Sequence, residues 1–140
     1  MNWLLPTQTL LDLIAAQATP AQAWAAEVDT RSLRTSVIAV QMAQMGIDQI
    51  SHPGRRLRLM EDLSRLLDAI AADSGVMPLD FSAAHARIWA HLALTPELGT
   101  LPQVDRQVYA TAIYEGLTVV EGRRAETDAL RNAGLRIHIL

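Results

Sequence analysis

The chain has 140 residues and a net charge of −3, with half of its residues apolar and 4% aromatic. That calls for one compact domain, residues 1–140, with a core of Leu, Ile, Val, Ala and Met, and it gives no global basic field to attract nucleic acid. Cysteine is absent, which excludes disulfides and thiolate metal sites; with no basic leader and no apolar run of bilayer length, a cytoplasmic protein without a membrane partner is expected.

Trp3, Leu4 and Leu5 form a short apolar run ended by Pro6, which reads as a first strand. Thr7 or Thr9 is placed to cap the next helix, with Leu10, Leu11, Leu13 and Ile14 on its inner face. Thr19 and Pro20 predict a helix start, with threonine as cap and proline at the first helical position, and Trp24 as anchor. Arg31 to Val40, ending in TSVIAV, predicts a second strand, and Gln41 to Ile50 a helix. Ser51-His52-Pro53-Gly54 is a break.

Arg55 to Asp73 carries the longest helical pattern, with Leu57, Met60, Leu63, Leu66, Leu67 and Ile70 at helical spacing. Arg55, Arg56 and Arg58 at its start suit either phosphate contact or a solvated first turn. Val76, Met77 and Leu79 predict a short strand, and Asp80 or Ser82 caps a helix holding Ala83, Ala86, Ile88, Trp89 and Leu92. His85 and His91 stand six residues apart. At about 100° per residue they face different ways and form no metal pair. Together with His52 and His138 they read as ordinary, partly exposed histidines.

Thr95 to Pro102 is a loop, and the segment LPQVDRQVYATAIYEGLTVV follows from Leu101 to Val120. Asp105 stands at a helix start, where a carboxylate complements the dipole and where a metal ligand is also well placed. Val108, Tyr109, Ala112 and Ile113 give an apolar face, and Gly116 suits a left-handed cap. Leu117 to Val120 is a β-branched run suited to a strand covered on both faces. Ala125 to Asn132 predicts a short helix capped by Gly134, and Leu135 to Leu140 a last strand. The alternation calls for a three-layer α/β/α fold around a central parallel sheet of about five strands.

These segments resemble the PIN-domain family, and most closely the ribonuclease toxins of VapBC toxin–antitoxin pairs. Residues Asp105 to Ala112 with Tyr114 to Val120 match the segment in which an Asp opens an Ala-rich helix before a Gly-Leu strand. MPLDFSAAHARIWAHL is similar to the Pro-Leu-Asp and Ala-rich helix that precede it, and LLPTQTLLDLI to the family's opening strand and leucine-rich helix. The resemblance spans nearly the whole chain and is most specific over residues 76–120.

The resemblance implies a Mg²⁺ or Mn²⁺ centre of several carboxylates, a small antitoxin partner, RNA as ligand and a homodimer. This chain departs from the family's acids. Pro6 stands at the first Asp position, Gln8 at the following Asn, and Met42 at the Glu position with Gln41 beside it. Past the strand, Glu121 replaces a Thr, and Arg123 replaces an Asn and adds positive charge where a cation would sit. Asp105 and Glu126 remain as catalytic and metal-binding candidates, with Asp128 as a second choice for the last acid. Proline offers no ligand atom and a thioether suits Mg²⁺ poorly.

The expected function is a PIN-fold protein with a decayed nuclease site and a binding or regulatory role. One alternative is a divergent metal-dependent ribonuclease, with Asp12, Asp80 or Asp128 supplying a missing carboxylate. The other is an unrelated function on a shared α/β pattern. No Gly-rich phosphate loop, nucleophile elbow or zinc motif supports another named enzyme class.

Overall fold

A computed structural model describes all 140 residues. Its centre is a parallel sheet built from β1 (Trp3–Leu4), β2 (Leu33–Arg34), β3 (Thr118–Glu121) and β4 (Arg136–Ile139), in the order β2-β1-β3-β4. The sheet is flanked by α1 (Thr7–Leu13), α2 (Pro20–Ala25), α3 (Val37–Asp48), α4 (Pro53–Ser74), α5 (Ala83–Ala93), α6 (Gln103–Glu115) and α7 (Thr127–Asn132). The three-layer parallel fold agrees with the sequence reading. No helix is long and apolar enough to cross a membrane.

The sheet has four strands, not about five. The segment Val76 to Leu79 contributes only a single parallel bridge, between Leu79 and Ser36. Pro78 lacks the N–H that a ladder needs, and Met77 is exposed, so a full strand has neither donors nor cover there. The second strand is also shorter than its β-branched run suggests. Ser36 turns TSVIAV into a helix by accepting from Ala39 N–H at 3.1 Å, and α3 therefore starts at Val37.

β3 is buried along its whole length, between β1 and β4. Leu4, Leu5, Leu10, Val119 and Val120 are fully covered and form the middle of the core. Neither Thr7 nor Thr9 caps α1, whose N-cap is Pro6. Thr9 instead donates its hydroxyl to Val120 O at 2.6 Å inside the core, fixing α1 to β3. Thr19 does cap α2, accepting from Gln22 N–H at 3.2 Å. On α4 the inward residues are Leu59, Leu63 and Ile70, whereas Leu57 and Met60 face outward.

His85 is buried, contrary to the expectation of a partly exposed side chain. Its Nδ1 accepts from Ser82 N–H at 2.9 Å, which puts the ring proton on Nε2. That nitrogen lies 2.9 Å from Glu115 Oε1 and ties α5 to the end of α6. The other three histidines are exposed; His138 packs edge-on against Trp3.

Candidate functional site

The carboxyl ends of parallel strands are where sites form in open α/β sheets. Here that edge holds a cleft of about 230 Å³. Pro6, Thr7 and Gln8 line one side, just past β1, and Asp105 and Tyr109 of α6 line another. Glu121, the last residue of β3, and Arg124, in the loop before α7, complete it. Asp105 and Tyr109 are four residues apart in α6, so both project from one face of the helix. Asp105 lies in the first turn, as the sequence indicates.

Arg124 is the hub of the site. Its Nη1 donates to Tyr109 Oη at 2.8 Å and to Asp105 Oδ2 at 3.3 Å, and its Nε donates to Glu126 Oε2 at 3.2 Å. Tyr109 in turn donates its hydroxyl to Glu121 Oε1 at 2.9 Å. A chain of polar contacts thus runs from Asp105 and Glu126 through Arg124 and Tyr109 to Glu121.

Burial sets the charges. Glu121 is only 8% exposed, and loss of water raises its pKa, with Asp105 adding to the rise while Tyr109 and Arg124 oppose it. Burial, reinforced by Glu121, likewise pushes the Tyr109 hydroxyl well above its ordinary value, so it stays a donor. Burial disfavours the Arg124 charge, but Tyr109 and Asp105 outweigh it and hold the guanidinium protonated.

The residues singled out in the sequence fall into three groups. Pro6 and Asp105 share the cleft, and Glu126 joins it through Arg124. Met42, half-buried midway along α3, does not line it. Asp128 points away and pairs with Arg123 at 3.1 Å. Asp12 accepts from Gln8 at 2.9 Å on the surface, and Asp80 is exposed. The positive charge in the site comes from Arg124, one residue after the Arg123 that the sequence reading placed there.

Sequence reasoning missed Glu121, Tyr109 and Arg124 as site residues. For Glu121 a signal existed: a carboxylate ends a buried apolar run, at the strand end where parallel sheets build sites. Tyr109 was legible as the i+4 neighbour of Asp105. Nothing local distinguishes Arg124 from Arg123, because the path of the loop decides which one turns inward.

These donors do not fit a divalent cation. Mg²⁺ and Mn²⁺ need several oxygen ligands around one point. No three carboxylate or imidazole groups converge closely enough to hold an ion. Pro6 supplies no side-chain atom, and Arg124 already takes up Asp105 and Glu126. Two like unit charges about 4 Å apart near a protein surface repel by about 4 kcal/mol, and a divalent ion doubles that.

A larger groove of about 570 Å³ adjoins this edge, between α1, α3 and the start of α4. Leu11, Ile47, Ile50 and Leu59 give it an apolar floor, with Gln8, Asp12, Arg55 and Arg58 around it. Arg56 donates to Ile50 O at 2.8 Å and Arg58 pairs with Asp62 at 2.9 Å, which leaves Arg55 as the exposed cation of that run.

No protein-family model matches the chain, and no curated protein matches it significantly. Solved structures do. A chain of VapBC2 from Rickettsia felis, bound to a DNA fragment from its promoter, is 18% identical with a TM-score of 0.79, covering 100% of this chain and 99% of that one. A chain of FitAcB from Neisseria gonorrhoeae is 20% identical with a TM-score of 0.76, covering 96% and 95%. VapBC-5 of Mycobacterium tuberculosis, from the VapBC family of toxin–antitoxin systems, gives 19% identity and a TM-score of 0.72, covering 99% and 98%. The fold is that of a VapC-like PIN domain.

Proposed function

We propose that this protein is a VapC-like module whose nuclease centre has decayed and which acts by binding. The observation that carries this reading is the ligand set. Beside Asp105, the β1 side of the cleft presents Pro6, which has no oxygen to give a metal. Phosphodiester hydrolysis of this kind needs metal charge to activate water and to stabilise developing negative charge. The groove of α1, α3 and α4 suits a small antitoxin that offers an apolar face with an acidic group for Arg55. Self-association as a two-fold dimer belongs to the same reading. Val37 and Met45 on α3 and Leu57 and Met60 on α4 are exposed apolar groups, and symmetric dimers are the commonest assemblies. Light scattering that finds a monomer at high micromolar concentration contradicts the dimer.

One observation favours a divergent Mg²⁺- or Mn²⁺-dependent ribonuclease instead. Glu121 lines the same cleft as Asp105, which gives that cleft a second carboxylate. A cleavage assay on RNA with Mn²⁺ separates the two readings. The decayed-site reading expects no cleavage above background, and no change on Asp105→Ala. Metal-dependent cleavage that Asp105→Ala abolishes establishes the ribonuclease.

A further inference from the structure

We infer that two copies of this chain pair through α4, antiparallel, about a two-fold axis between Arg65 and Leu66. The inference rests on the two-fold dimer of the proposed function and assigns it a helix, a register and an ion pair. Leu57, Met60, Ser64, Leu67, Ala71 and Ser74 recur at alternating spacings of three and four, which draws one seam along a flank of α4. The seam is open in the single chain. Leu57 is 56% and Met60 38% exposed, Ser64 is exposed, and the other three are half-buried. The buried side of α4 is separate and is carried by Leu59, Leu63 and Ile70. At about 100° per residue, the seam also points away from Arg55, Arg58 and Leu59, which α4 gives to the groove it shares with α1 and α3.

A second α4 running the other way matches this seam in size. With the axis between residues 65 and 66, Leu57 comes level with the partner's Ser74, Met60 with the partner's Ala71 and Leu67 with the partner's Ser64. Each large side chain then meets a small one, which close helix packing needs. A parallel pair sets Leu57 on Leu57 and Ser64 on Ser64 instead. Charge selects the same register. Glu61 and Asp62 pair within the helix with Arg65 and Arg58, whereas Asp68 is exposed and makes no ion pair. In the antiparallel pair, Arg65 of one copy stands two residues, or about 3 Å along the axis, from Asp68 of the other. Arg65 is 73% exposed, and its side chain is long enough to span that gap. The two-fold repeats the contact, so each copy gives one arginine and one aspartate. Ion pairs at an exposed rim add little affinity but fix register and orientation, while the apolar seam supplies the driving force.

The test is sedimentation equilibrium of the full chain, read together with cross-linking. The native chain should dimerise. Met60→Glu, which puts a charge into the seam at a site already 38% exposed, should weaken the dimer at least about tenfold. Asp68→Arg should weaken it too, by facing Arg65 with a like charge, and Asp68→Arg combined with Arg65→Asp should bring it back by reversing the pair. Ser64→Cys gives the chain its only thiol. A short bis-maleimide should link that variant into a covalent dimer, whereas Ala69→Cys, on another face of the helix, should stay unlinked. A native dimer that Met60→Glu leaves intact overturns the inference while the dimer itself stands. A folded double reversal that dimerises no better than Asp68→Arg alone also overturns it, as does a Ser64→Cys that links no better than Ala69→Cys. A native chain that stays monomeric overturns the inference and the dimer together. None of these measurements involves RNA cleavage, so the decayed-site reading stands or falls separately.

Discussion

Tyr109 is the residue on which the polar network turns. Its hydroxyl donates to the buried Glu121 carboxylate and accepts from Arg124. Tyr109→Phe leaves both partners short of a contact in a place with little water. Losing a buried hydrogen bond to a charged group costs about 1.5–3 kcal/mol, and chemical denaturation of Tyr109→Phe should show a loss in that range. Glu121 makes the network sensitive to pH. Its folded pKa is raised above the ordinary value of 4.5, chiefly by burial. A carboxyl shifted in this direction adds most to stability below its unfolded pKa, and that contribution is lost as pH rises through the folded value. Glu121→Gln removes the titration. The native chain should therefore lose stability relative to Glu121→Gln as pH rises from below 4.5 toward neutrality. A stability difference that stays flat across that range contradicts the assignment of the raised pKa to Glu121.

At the scale of elements, caps decide where helices begin and end, and so where the cleft residues stand. Ser36 starts α3 one residue after the bridge to Leu79, cutting short a run that by composition suits a strand. Ser36→Ala should destabilise the protein by about 1 kcal/mol in urea unfolding. Gly116 ends α6 with φ +68 and sends the chain into β3. A Cβ there meets only the flexible end of Arg136, so the penalty of Gly116→Ala is one of backbone conformation, about 1–2 kcal/mol. Either change acts at a distance from the cleft chemistry and should leave the Mn²⁺ behaviour of the native chain unaltered. The loop ahead of α6 is held by Arg106, whose Nη1 donates to the carbonyls of Leu98, Gly99 and Leu101 at 3.3, 3.0 and 2.9 Å. That clamp fixes the entry into α6 and, with it, the position of Asp105 two residues inside the helix.

For the whole molecule, the question is whether the PIN fold here still carries catalysis. Adding an acid to the cleft tests the proposed decay better than deleting Asp105, because carboxylates around an ion act as a unit. Pro6→Asp, made together with Arg124→Gln, should bind Mn²⁺ more tightly than the native chain, as calorimetry can measure. With Arg124 left in place, Pro6→Asp alone should gain little, since a fixed positive charge remains at the centre. Strong Mn²⁺ binding by Pro6→Asp with Arg124 intact contradicts this order of effects.

The alternation of helices and strands, the parallel sheet, the α6–β3 unit and the placing of Asp105 in a first helical turn were all legible in the order of residues. Each of these rests on local periodicity, on cap residues and on the covering of β-branched runs, which are properties of near neighbours in the chain. The number of strands, the burial of His85 and the content of the cleft depend instead on contacts made in the folded chain. Val76 to Leu79 falls short of a strand because Pro78 and an exposed Met77 leave it a single bridge. His85 is buried because Glu115, thirty residues away, meets its Nε2. Arg124 rather than Arg123 faces Asp105 because of the path the loop takes between β3 and α7. In each case the deciding partner is distant in sequence or the deciding torsions belong to a loop, and neither leaves a periodic mark on the residues concerned.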